Sequence, residues 1–186
     1  MKCELWYSVV VRDRHGKVVS RERRKSKSFL KQWNQLVYSH LSNLRLNMTC
    51  TDGVVREVGY TDSSFQMAAT AGVIDYGIRV GIGNTPVAID DYALETPIAE
   101  GIGAGEMEHL ICTVTTSVVA APSCSFLVSR SVVNNSGAEI TVREAGIYMK
   151  IFTINYGCAT RDVFGTPQAV PNGGSILINW TLRVTV

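Results

Sequence analysis

Six glycines, Gly77, Gly81, Gly83, Gly101, Gly103 and Gly105, are the first residues here whose spacing suggests chemistry. A glycine-rich turn presents consecutive backbone amides and can cradle a phosphate. Neither GIGNTP (81–86) nor GIGAGE (101–106) matches GxGxxG, and no Walker lysine or helix start follows either run. Turns and strand ends are therefore the expected role. His15, His40 and His109 could serve as general bases or ligands, but none belongs to an HExxH-type signature. Asp90/Asp91 and Glu106/Glu108 could offer oxygens to a hard cation, yet no Asp-x-Asp-x-Asp-Gly loop surrounds them. No catalytic residue, cofactor site or metal site is expected, and the chain does not read as an enzyme.

The five cysteines, Cys3, Cys50, Cys112, Cys124 and Cys158, are odd in number, widely spaced and contain no CxxC pair. They read as buried or half-buried free thiols rather than a disulfide framework or a zinc site.

The sharpest polar feature is basic. Arg21, Arg23, Arg24, Lys25, Lys27 and Lys31 follow one another, with Trp33 just beyond. Three readings stand: a solvated strand edge that blocks unwanted pairing, a protein interface, and phosphate neutralisation along a nucleic acid. Phe29 and Trp33 fall on a helical core stripe rather than a stacking platform, so nucleic acid is the least favoured. These six cations and Trp33 form the candidate interface. Charge supports a two-faced molecule. Residues 1–31 carry ten Lys/Arg against three Asp/Glu, a net +7, whereas the remainder carries eight against thirteen, a net −5.

What must position such a surface is mostly strand. The chain has 186 residues, 46% hydrophobic and 18% charged, enough apolar surface for a real core and too little charge for a disordered tail protein. Glu4–Val11 and Lys17–Arg24 flank Asp13-Arg14-His15-Gly16, a hairpin signal. One helix is expected from Ser28 to Leu46, capped by Ser26 or Ser28. Its apolar stripe is Phe29, Trp33, Leu36, Val37, His40, Leu41 and Leu44. Residues 60–72 read as a mobile loop or arm. Met107–Ala120, Cys124–Val133 and Glu139–Ile154 read as long strands, the last two joined by a hairpin turn at Asn134-Asn135-Ser136-Gly137. Ala159–Phe164 and Ser175–Val186 follow, separated by a Pro/Gly-rich turn over 165–174. The uncharged stretch from Leu110 to Ser129 alternates around Pro122, so it reads as two strands and not a membrane span. The N-terminus lacks the pattern of a signal peptide. The Asn-x-Ser/Thr triplets at Asn47, Asn134 and Asn179 then read as chance matches.

Eight to ten strands, one helix and no βα rhythm predict a mainly β chain, a jelly-roll-like β-sandwich with one amphipathic helix. A single domain over 1–186 is expected, with 1–46 a basic hairpin plus helix and 47–186 the strand-rich body.

Three stretches carry a resemblance: GIRVGIGNTPVAIDDYALETPIAEG (77–101), SRSVVNNSGAEITVREAGIYMK (129–150) and ATRDVFGTPQAVPNGGSILINWTLRVTV (159–186). Together they resemble a recurring family of tailed-phage virion proteins. The resemblance implies a non-enzymatic building block of a virion, a capsid decoration or other head-associated protein assembled in the host cytoplasm. Its implied partners are copies of itself, as a trimer first, and a major capsid or tail protein, with no small-molecule substrate and no membrane. A tail, fibre or baseplate component is the alternative, as is a host-surface or carbohydrate-binding β-sandwich.

Overall fold

A computed structural model describes residues 2–26, 28–61 and 63–186. Period-two alternation builds the first hairpin. β1 (Lys2–Arg12) places Leu5, Tyr7, Val9 and Val11 on one buried face, and β2 (Val18–Ser26) pairs with it antiparallel. Asp13 shapes the turn by accepting the His15 and Lys17 amides on Oδ1 at 2.9 and 3.0 Å. The remaining elements are α1 (Lys31–Ser42), β3 (Leu46–Thr49), β4 (Val55–Val58), β5 (Gly77–Gly81), β6 (Glu108–Val114), β7 (Val118–Ala120), β8 (Ser123–Val133), β9 (Ile140–Phe152), β10 (Asn155–Val170) and β11 (Ser175–Thr185).

The chain is mainly β, with antiparallel sheets and one short helix. A larger sheet runs β2-β1-β11-β8-β6, with β7 added on β8, and a smaller one runs β10-β9-β5. β3 and β4 pair separately. Tyr7, Val128 and Trp180 from the larger sheet and Val142, Ala145 and Ile147 from the smaller belong to one buried hydrophobic cluster. Trp180 is wholly buried, and its indole N–H donates to Asp162 Oδ2 at 3.3 Å.

Arg130 lies among these apolar groups, 1% exposed. Its guanidinium donates only to backbone carbonyls: Leu110, Ile78, Thr70 and Val73. One side chain thereby ties residues 70–73 and β5 to the larger sheet. Of the stretch read as a mobile loop or arm, residues 63–72 lie along the body rather than projecting from it, and Asp62 lies outside the described residues. Met67 and Ala69 are buried, Phe65 N and Lys150 N donate to Lys150 O and Gln66 O, and Cys112 N donates to Ala69 O. Met67 and Ala69 anchor this crossing to the core, while the residues around them stay exposed or half-buried.

Three further expectations change. The helix is shorter than 28–46, and neither Ser26 nor Ser28 caps it; their hydroxyls bond each other at 3.0 Å. Leu30 stands at the N-cap position, and the Leu30 and Lys31 amides donate to Ala159 O and Ile89 O, so neighbouring backbone replaces a side-chain cap. Its buried line is Gln32, Leu36 and Ser39, while Leu41 is 85% exposed. Asn134–Gly137 is not a hairpin turn, because β8 and β9 lie in different sheets. It is a crossover, held by the fully buried Asn134, whose Nδ2 donates to Ala138 O and Val170 O. Finally, β10 runs on to Val170, through an irregularity between Val163 and Gln168. Glu22 on β2 holds that irregularity by accepting the Gly165 and Thr166 amides at 2.9 and 3.1 Å.

Candidate functional site

The two sheets share a core, so each also has a face turned away from it. On the smaller sheet that face carries Glu144 and Tyr148 from β9, Arg79 from β5, and Cys158 and Arg161 from β10. Arg161 pairs across the ladder with Gly146, which sets its side chain beside Glu144, two residues along. Arg161 Nε donates to Glu144 Oε2 at 2.7 Å, one terminal nitrogen meets Asp91 Oδ2 at 2.7 Å, and the other bonds Thr85. A Cβ on Gly146 would lie 2.6 Å from Thr160 O and 3.0 Å from Leu94 Cδ2. Glycine is what lets the 82–97 loop settle over this strand. Tyr148 fastens the same loop by accepting the Leu94 amide at 2.8 Å. Burial holds the Tyr148 phenol well above its ordinary pKa, so it stays a neutral hydroxyl.

The GIGNTP turn, which looks like a phosphate cradle in sequence, has its amides taken by the chain's own carboxylates. Gly83 N and Thr96 N donate to Glu144 Oε1 at 3.2 and 2.9 Å, and Asn84 N and Thr85 N donate to Glu95 Oε2 at 2.7 and 2.8 Å. These amide bonds, that from Thr85 foremost, lower the Glu95 pKa from its usual value. In GIGAGE, Glu106 Oε2 likewise accepts Gly103 N at 2.9 Å. Carboxylates stand where a phosphate would.

Between this loop and residues 51–52 and 74–75 lies an open cleft of about 670 Å³. Its charged lining is Asp52, Asp75, Asp90, Asp91 and Glu95, against Arg79 and Arg161. Arg56 takes Asp52 and Arg161 takes Asp91, whereas Asp75 and Asp90 are exposed and enter no ion pair among the described residues. Arg79 is 8% exposed; it donates to Ile74 O and Ile98 O, and its Nε has no hydrogen-bond partner. Among the described residues, no group of three or more His, Cys, Asp or Glu is placed to hold a metal. No helix is long and apolar enough to cross a membrane.

The opposite face, on the larger sheet, is basic. Alternation from the buried Leu5, Tyr7, Val9 and Val11 sends Lys2, Glu4, Trp6, Ser8 and Val10 outward, opposite Lys25, Arg23 and Arg21 on β2 and Arg183 on β11. Lys25 meets Glu4 at 2.9 Å, and the Arg23 guanidinium lies 5.2 Å from the Trp6 ring centre. The Lys25 ammonium lowers the Glu4 pKa from its ordinary value.

The candidate interface of the sequence is thus divided. Arg21, Arg23 and Lys25 share the outward face. Arg24 points to the other side and pairs with Glu22 at 2.8 Å. Lys27 lies outside the described residues. Lys31 begins the helix, half-buried, and Trp33 is half-buried between Phe29 and Phe65, ring centres 5.1 and 5.2 Å away. His15 sits in the hairpin turn, His40 Nδ1 is 2.9 Å from Leu36 O, and His109 is buried against Glu100. The Glu144–Arg161 pair was missed: each has a charged neighbour in the chain, Arg143 or Asp162, and only the buried side of the strand separates them. No family model matches the chain, and neither does any curated protein or solved structure.

Proposed function

We propose that the chain is a non-enzymatic structural protein of a tailed-phage virion, a β-sandwich that acts by assembling with its own copies and with a major capsid or tail protein. The carrying observation is where the resemblance motifs lie. Asn134, Glu144, Gly146, Arg161 and Trp180 are all buried, and their polar atoms are spent on crossovers, loops and the core. Motifs of that kind specify a scaffold, not a reaction centre. A shared core between two antiparallel sheets supports the sandwich reading. Basic charge on the outer face of the larger sheet and acidic loop residues around the cleft on the other side support association. Head decoration is the first assignment, a trimer the first stoichiometry, and the virion, assembled in the host cytoplasm, the location. Sedimentation of the purified chain over a concentration series tests it: a defined oligomer is expected. A strict monomer that binds immobilised glycans would replace this reading with a host-surface lectin, for which the open cleft beside Tyr92 would be the site.

A further inference from the structure

The charge difference between the two ends of the sequence is also a difference between two faces of the molecule. Arg21, Arg23 and Lys25 alternate along β2, which spaces them about 7 Å apart in a straight row. Arg183 extends the basic area inward, and Glu4 is the acid beside it. The cleft lies on the face of the smaller sheet that is turned away from the shared core, so the two surfaces point in opposite directions. Asp75 and Asp90, exposed and without an ion pair among the described residues, give it negative charge. An occupant must therefore bring cations for the rim. The row of Arg21, Arg23 and Lys25 on β2 brings them.

We propose that the basic face of one copy, centred on Arg21, Arg23 and Lys25, docks on the acidic cleft of a second copy, at Asp75 and Asp90. The proposal rests on the self-assembly reading and names its contact. A protein occupant fits this face better than a nucleic acid. Arg23 already covers the Trp6 ring, and Ser8, Asn179 and Ser129 bond one another in a ladder at 3.4 and 2.6 Å, so no stacking platform remains. Because different surfaces meet, the contact is heterologous. It closes into a ring when each step rotates the next copy, and grows into a stack when it does not.

Charge reversal tests the contact. One variant carries Arg21→Glu, Arg23→Glu and Lys25→Glu; the other carries Asp75→Lys and Asp90→Lys. All these positions are solvent-facing, and a circular-dichroism melt checks that both variants fold. Each alone is expected to self-associate at least about tenfold more weakly than the parent chain, because like charges then face each other. An equimolar mixture of the two should regain association, since one keeps the native cleft and the other the native face. Raising salt from about 0.05 to about 0.5 M should weaken the parent assembly. An oligomer that forms equally well in both single variants overturns this contact and leaves the assembly reading standing. A parent chain that stays monomeric at every concentration overturns both. Parent chain that binds a single- or double-stranded oligonucleotide, lost in the Arg21/Arg23/Lys25 variant, overturns the proposal in favour of nucleic acid.

Discussion

Arg161 and Glu144 form a 2.7 Å ion pair in which the arginine side chain is 2% exposed and the carboxylate not at all. The pair sits between adjacent strands, but what it organises is the 82–97 loop, through Asp91, Thr85 and the amides bonded to Glu144. A buried pair of this kind adds little over an apolar replacement of both partners, while loss of one partner strands a charge. Arg161→Met should cost about 3–5 kcal/mol in chemical denaturation. Adding Glu144→Gln should recover part of that loss, because the remaining group is neutral and can still accept Thr96 N. A single variant that costs nothing measurable would show that the pair is not structural.

His109 supplies a pH dependence. It is 1% exposed, its Nδ1 lies 2.8 Å from Glu100 Oε2, and Arg130 and Arg79 add nearby positive charge. Burial, the largest cause, pulls its pKa from 6.5 down to about 4. The unfolded chain therefore takes up a proton at a higher pH than the folded one does. Its contribution is fully present above pH 6.5 and is lost as pH falls through about 4. Denaturation midpoints should fall across that window in the parent chain. They should fall less in His109→Asn, whose amide can still donate to Glu100 but does not titrate.

Gln32 on α1 is completely buried, and neither its Oε1 nor its Nε2 has a hydrogen-bond partner among the described residues. An unmet buried amide costs about 1–3 kcal/mol. Gln32→Met, close in volume and apolar, should raise the melting temperature, and Gln32→Glu should lower it sharply.

The cysteines divide by exposure. Cys3 is exposed and Cys124 half-buried, whereas Cys50, Cys112 and Cys158 are buried. Burial also raises the Cys112 and Cys158 thiol pKa values, which suppresses the reactive thiolate. Alkylation of native protein followed by mass spectrometry should label Cys3 and Cys124, with the other three modified only after denaturation.

Much of the fold was legible because local pattern and burial agree. The alternation at Leu5, Tyr7, Val9 and Val11 and at Ile176, Ile178 and Trp180 gives both the strands and their inner face. Asn134–Gly137 shows where that legibility ends. Its turn chemistry is plain, but whether a turn returns within one sheet or crosses to another depends on partners that lie far off in sequence, here Val170 and Gly174. The basic run was legible as charge, and the division of Arg24 from Arg23 and Lys25 follows only once β2 has a buried side. The acidic cleft was not legible. Asp52, Asp75 and Asp90 come from separate loops, and no short spacing brings them together.

The pairing of β1 with β11 joins Lys2 to Thr185 and brings together two strands far apart along the sequence. During synthesis, at about 5–20 residues per second, β1 waits roughly ten seconds to half a minute for that partner. In that interval β2 is its only native strand partner among the described residues, and an isolated two-stranded hairpin is marginal in water. Leu5, Tyr7, Val9 and Val11 meanwhile form an apolar strip open to any other unfinished strand. Such non-local closure is slow. The cations of β2 give that hairpin a strong like charge in every copy, a feature that disfavours edge pairing between copies before β11 is in place.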